Sequence, residues 1–168
     1  MTKNEYYAKL LPYAKIAEAG TGIEAELITA FWSWETDYGT NESSKLGNNH
    51  GGIKANSSGR DYVVGQYAGY NSINRFAEDW ARILNVVKGV GYEAVLKTAS
   101  ITKDPVEITK VFNASKYAEQ DYNVNVIVDR YNAIKNIKAD DKKEDYDNNF
   151  LIAVGIAVLA VYNLIKKK

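Results

Sequence analysis

The spacing of apolar and polar residues predicts a chain built mostly of helices. The first helix is expected from about Asn4 to Ala19, with Pro12 either kinking it or opening its second half and Gly20 as its stop. A second is expected over about Ile23 to Thr36. Counting back from Glu35 by three, four, seven and eight residues gives Trp32, Phe31, Ile28 and Leu27, so one helical face carries four large apolar side chains and an acid. Ser72 caps a third helix, with Phe76, Trp80, Ile83, Leu84 and Val87 as its apolar stripe before Gly89. A short helix is expected around Tyr92 to Lys97. Asp104-Pro105-Val106-Glu107 then reads as a helix start, with a capping aspartate, a proline at the first position and an acid three residues on. The segment from about Tyr122 to Ile137 puts Val124, Ile127, Val128, Tyr131 and Ile134 on one face. Tyr62-Val63-Val64 and Gln66-Tyr67, around Gly65, predict a small hairpin.

After residue 137 the pattern changes. Lys138 to Asn149 carries eight charges in twelve residues and reads as a solvated linker. Residues 150 to 165 are apolar apart from Asn163 and without charge, and Lys166 to Lys168 follow. Such a segment, apolar all round, is expected to be a single transmembrane helix; sixteen residues span about 24 Å against a hydrocarbon core of about 30 Å, a gap that snorkelling lysines cover. Ala153, Gly155, Ala157 and Ala160 offer a small-residue face for another membrane helix. Lysines on both flanks leave the orientation open. The expected organisation is a globular domain over 1–137, a linker over 138–149 and an anchor over 150–165, with Lys166 to Lys168 as its tail.

Composition narrows the chemistry. The 168 residues hold 21 basic and 21 acidic side chains, so net charge implies no polyanion, and nucleic acid is not an expected partner. Zero cysteines exclude disulfides and thiolate metal sites, and a single histidine argues against a zinc hydrolase; no cofactor or metal is expected. The first residues contain no apolar run of the kind a secretory signal needs. Thirteen tyrosines and three tryptophans suit sugar binding, because sugar C–H faces pack on aromatic rings.

Glu35 is the leading candidate for chemistry. Set against hydrocarbon, a carboxylic acid resists ionisation and can donate its proton to a leaving group, as a glycosidase general acid does. Lysozyme is the type case of that behaviour, and the same desolvation argument applies to it.

These residues also carry a resemblance. Glu35-Thr36-Asp37-Tyr38-Gly39 resembles the Glu-(Ser/Thr)-Gly-(Trp/Tyr)-Gly motif of the lysozyme-like endo-β-N-acetylglucosaminidases of flagellar-hydrolase and autolysin type. Asn48-Asn49-His50-Gly51-Gly52-Ile53-Lys54 is similar to that family's Asn-Asn-(Leu/His)-Phe-Gly-Ile-Lys segment. Tyr70-Asn71-Ser72 resembles its Tyr-Asp-Ser run, and Lys116 to Tyr122 its Gly-Tyr-Ala-Thr-Asp segment. Leu11-Pro12-Tyr13-Ala14 fits its opening helix, so the similarity runs in order from about residue 5 to 137. Asp37, Gly51 and Lys116 depart from it, standing where glycine, phenylalanine and glycine are usual.

The resemblance implies a mainly α, α+β lysozyme-like fold with the hairpin as a β-lobe walling the cleft. It also implies cleavage of peptidoglycan at the β-1,4 bond between N-acetylglucosamine and N-acetylmuramic acid. It gives Glu35 as acid and Tyr117 as a second catalytic residue, and points to Tyr38, Asn48, Asn49, His50 and Tyr70 as substrate-binding. Asp61 is a candidate second carboxylate, Asp37 another; the substrate's own acetamido oxygen or 6-hydroxyl are alternatives, the last giving a lytic-transglycosylase product. A wall-cutting domain with a tail anchor and no signal suits a bacteriophage, as a lytic or virion-associated enzyme in a viral or bacterial inner membrane. The competing reading is a non-catalytic structural membrane protein of a virion whose lysozyme-like domain binds glycan.

Overall fold

The computed structural model describes residues 1–137 apart from 116, 118 and 119. The linker over 138–149 and the anchor over 150–165 lie outside the described residues. Among those described, no helix is long and apolar enough to cross a membrane.

Seven helices and one hairpin make up this part: α1 (Lys3–Thr21), α2 (Ala25–Thr36), α3 (Glu42–Gly47), β1 (Tyr62–Val64), β2 (Tyr67–Gly69), α4 (Ile73–Val86), α5 (Tyr92–Ile101), α6 (Pro105–Ala114) and α7 (Val124–Lys135). The architecture is mainly helical with a small antiparallel β-lobe.

Helix α1 starts on a capping box in which Thr2 accepts from the Glu5 amide and Glu5 accepts from the Thr2 amide. It continues through Pro12 and stops at Gly22, in the left-handed conformation at φ 73°. Gly20, expected as the stop, is instead inside the helix, where it packs against α4: a Cβ there would lie 3.0 Å from that of Ala81.

Helix α2 is central to the described residues, packed against both α1 and α7. Leu27, Ile28, Phe31 and Trp32 are all buried. Trp32 meets Phe76 and Trp80 of α4 at ring-centroid distances of 4.7 and 5.8 Å, and Phe31 meets Phe112 of α6 and Tyr122 at 4.8 Å each. Burial of each such side chain stabilises by roughly 1.5–3 kcal/mol. The apolar face read from the sequence thus joins α2 to three later segments.

The stripe on α4 divides. Phe76, Trp80 and Leu84 are buried, whereas Ile83 is half-buried and Val87, just past the helix end, is exposed. The hairpin pairs Tyr62 with Gly69, Val63 with Ala68 and Val64 with Tyr67, around Gly65 at φ 58°. Gly69 accommodates the Tyr62 ring, which would lie 2.4 Å from a Cβ at that position. Helix α3 is an addition to the expected elements; Asn41 caps it by accepting from the Ser44 amide.

Candidate active site

The chain reverses sharply after α2. Asp37, Tyr38 and Gly39 all have left-handed backbone, at φ 44°, 56° and 74°, and two of them carry a Cβ that disfavours it. The Thr36 hydroxyl ties this turn together, donating to the Trp32 carbonyl at 2.8 Å and accepting from the Gly39 amide at 3.0 Å. Asn41 reaches back to the Glu35 carbonyl at 3.2 Å. Glu35 is therefore held at the last turn of a buried helix, with its side chain half-buried at the wall of a cleft.

That cleft has a volume of about 680 Å³ and is bordered by Glu35, Trp34, Gly52, Lys54, Tyr67 and Tyr117, among others. The Tyr122 hydroxyl donates to Glu35 Oε1 at 2.5 Å. Opposite, Gly52 has φ 65°, and a Cβ on it would lie 2.9 Å from Glu35 Oε2. The acid thus has one oxygen on a tyrosine and the other against a glycine that leaves it room.

Tyr122 is positioned by its backbone. Asn113 of α6 accepts from its amide at 2.8 Å and donates to its carbonyl at 2.9 Å. Tyr117 is engaged elsewhere: its hydroxyl accepts from the Trp80 indole and donates to the Gly51 carbonyl, both at 2.6 Å. Burial pushes both phenols well above their ordinary range and the Glu35 charge pushes them further, so both hold their protons. The same packing accounts for Gly51, where a Cβ would lie 2.8 Å from both Trp80 Cδ1 and the Tyr117 oxygen. No phenylalanine fits there.

The expectation that Asp61 brings a second carboxylate to the site meets a different arrangement. Asp61 accepts from the Asn71 amide at 2.8 Å, faces Arg75 at 3.7 Å and does not border the cleft. Its role is to fasten the start of the hairpin to the turn before α4. Asp37 is exposed and also outside the cleft. Among the described residues, Glu35 is the carboxylate that borders it.

The sequence profile of the glucosaminidases, described as mannosyl-glycoprotein endo-beta-N-acetylglucosaminidase, matches residues 11–149. The chain belongs to the glucosaminidase family. It is accordingly a peptidoglycan glycoside hydrolase with a lysozyme-like domain. A solved structure of a type VI secretion system effector–immunity complex from Pseudomonas protegens is similar in fold, with a TM-score of 0.64 and 16% identity over 80% of this chain and 92% of that one. No curated protein matches the chain.

In this glucosaminidase the other residues proposed for substrate binding are not among those bordering the cleft. Asn49 is wholly buried; its amide donates to the Ile53 and Ala68 carbonyls and its oxygen accepts from the Gly51 and Ile53 amides, so it fastens the glycine loop to β2. Tyr70 is buried and donates to Asp79 at 2.7 Å. Asn48 donates to the Tyr70 carbonyl at 2.8 Å. His50 is buried against Tyr6 and Phe76, with Nδ1 3.2 Å from the Tyr6 hydroxyl. Tyr38 lies under Arg130, whose guanidinium carbon is 4.5 Å from the ring centroid. Tyr38, Asn48 and His50 border a second cavity of about 490 Å³ with Lys9 and Lys45. Of the residues singled out from sequence, the structure brings Glu35 and Tyr117 to the cleft. Tyr122 and Gly52 adjoin the acid and Asn113 holds Tyr122 in place; the first two sit inside the resembling segments, while nothing in the sequence marks Asn113.

Proposed function

We propose that this chain cuts the β-1,4 bond between N-acetylglucosamine and N-acetylmuramic acid by proton transfer from Glu35. The observation that carries the reading is the hydrogen bond from Tyr122 to Glu35 Oε1 at the cleft wall. With Oε1 accepting from Tyr122, we assign the transferable proton to Oε2, which Gly52 approaches so closely that a Cβ there would lie 2.9 Å from it. As the bond to the anomeric carbon breaks, the proton passes to the leaving oxygen. The acetamido oxygen of the same N-acetylglucosamine unit closes on the anomeric carbon and takes the part of the second carboxylate. This assignment is supported by Asp61 being fastened to Asn71 and Arg75. Water then adds to the anomeric carbon, displacing the acetamido oxygen as that C–O bond breaks, and gives its proton to Glu35, so the acetamido group and the acid are both regenerated and the net reaction is hydrolysis.

Mass spectrometry of the soluble fragments released from peptidoglycan tests this. Reducing N-acetylglucosamine ends are expected. Anhydro ends would contradict hydrolysis, and reducing N-acetylmuramic acid ends would contradict the choice of bond.

We further read residues 150–165 as a single-pass anchor, and the protein as a phage lytic or virion-associated enzyme. This rests on the uncharged apolar run between a charged linker and three lysines, and on a family match that stops at residue 149. Full-length protein is expected to float with lipid vesicles in a density gradient; protein that stays at the bottom contradicts the anchor.

A further inference from the structure

The same cleft contains a second preorganised group. Asp79 of α4 is 4% exposed. Its Oδ2 accepts from the Ser57 hydroxyl and the Tyr70 hydroxyl, each at 2.7 Å, and its Oδ1 accepts from Arg82 Nε at 2.6 Å. Arg82 Nη2 reaches the Ser57 hydroxyl oxygen at 3.3 Å. The loop around Ser57 lies so close to Asp79 that a Cβ on Gly59 would come within 1.8 Å of Oδ1. Arg82 and Ser57 both border the cleft, and Arg82 Nη1 has no hydrogen-bond partner among the described residues.

A guanidinium anchored through Nε by a buried carboxylate cannot swing freely, and its terminal edge is a planar donor set matched to a carboxylate. Beside it, Ile83, Val87 and Tyr92 give the cleft an apolar border. A neutral glycan offers such a donor edge only uncharged hydroxyl and acetamido acceptors, without the charge and fork geometry of a carboxylate. Peptidoglycan does, because its peptide stems bring carboxylates together with small apolar side chains.

We infer that Arg82 reads a carboxylate on the peptide stem of the substrate and so selects stem-bearing strands over neutral ones. The inference rests on the peptidoglycan reading above and adds the residue that enforces it. The Asp79 partner offsets part of the guanidinium charge, so the selectivity expected is that of a charge-assisted hydrogen bond, about tenfold.

The experiment compares KM for peptidoglycan strand fragments with free stem carboxyl groups and for the same fragments with those groups converted to amides. The native full-length protein is expected to show a KM about tenfold lower for the free form. Arg82→Gln is expected to bring the ratio of the two KM values to about one, and Arg82→Lys to an intermediate value, since an ammonium replaces charge but not the planar fork. The ratio is internal to each variant, so a loss of folded protein in Arg82→Gln lowers both rates and leaves it readable. Should that variant not fold, an unchanged ratio in Arg82→Lys overturns the inference. A native ratio of one, or a native-like ratio in Arg82→Gln, does the same while leaving the glycosidase reading intact. Cleavage of neither form by the native protein removes both.

Discussion

Tyr122 and Gly52 set the two oxygens of Glu35 from opposite sides, one by donating a proton and the other by lacking a side chain. Tyr122→Phe removes that donor and leaves the ring packing against Phe31 and Trp34 in place. It is expected to lower kcat by roughly 10–100-fold with a smaller effect on KM, in steady-state cleavage of soluble strand fragments. Gly52→Ala combines left-handed strain of about 1 kcal/mol with a methyl group against Oε2. A drop of at least about tenfold in kcat/KM is expected, together with a modest fall in Tm. Glu35 is legible in the sequence because four buried apolar residues precede it at helical spacing. Tyr122 is not, because its importance depends on Asn113, nine positions earlier in the chain, holding its backbone in place.

Elements with a strong period or a cap are legible to within a few residues: α2, α4, α6, α7 and the hairpin. The misses have local causes. Helix α1 runs past Gly20 because that glycine is a contact with α4, a tertiary reason invisible to spacing. Helix α3 has six residues, Glu-Ser-Ser-Lys-Leu-Gly, too few to show an apolar face. Spacing alone puts Ile83 and Val87 in the core, yet a helix that borders a cleft presents apolar side chains to it as well. At this scale the loop over residues 56–59 depends on its fit to α4. Gly59→Ala drives a methyl group onto Asp79 and is expected to cost about 2–3 kcal/mol, read as a lowered midpoint in urea unfolding. A midpoint within error of the native protein would contradict that dependence.

Across the whole molecule, His50 links the folded state to pH. Burial, and then the charge of Lys9, lowers its pKa from 6.5 to about 4, so the folded ring stays neutral. Between about pH 6.5 and 4 the unfolded chain binds a proton on this ring and the folded chain does not, so acidification across that window favours unfolding by up to about 3 kcal/mol. His50→Gln is expected to flatten the dependence of unfolding free energy on pH in that window; an equally steep profile would contradict it. The proposed mechanism turns on proton donation by Glu35. The most direct measurement is clearing of a peptidoglycan suspension by native protein and by Glu35→Gln at equal concentration, with matching circular dichroism spectra. A loss of at least about 10³-fold in rate is predicted for the variant. Clearing by Glu35→Gln at a rate comparable to the native protein would contradict it.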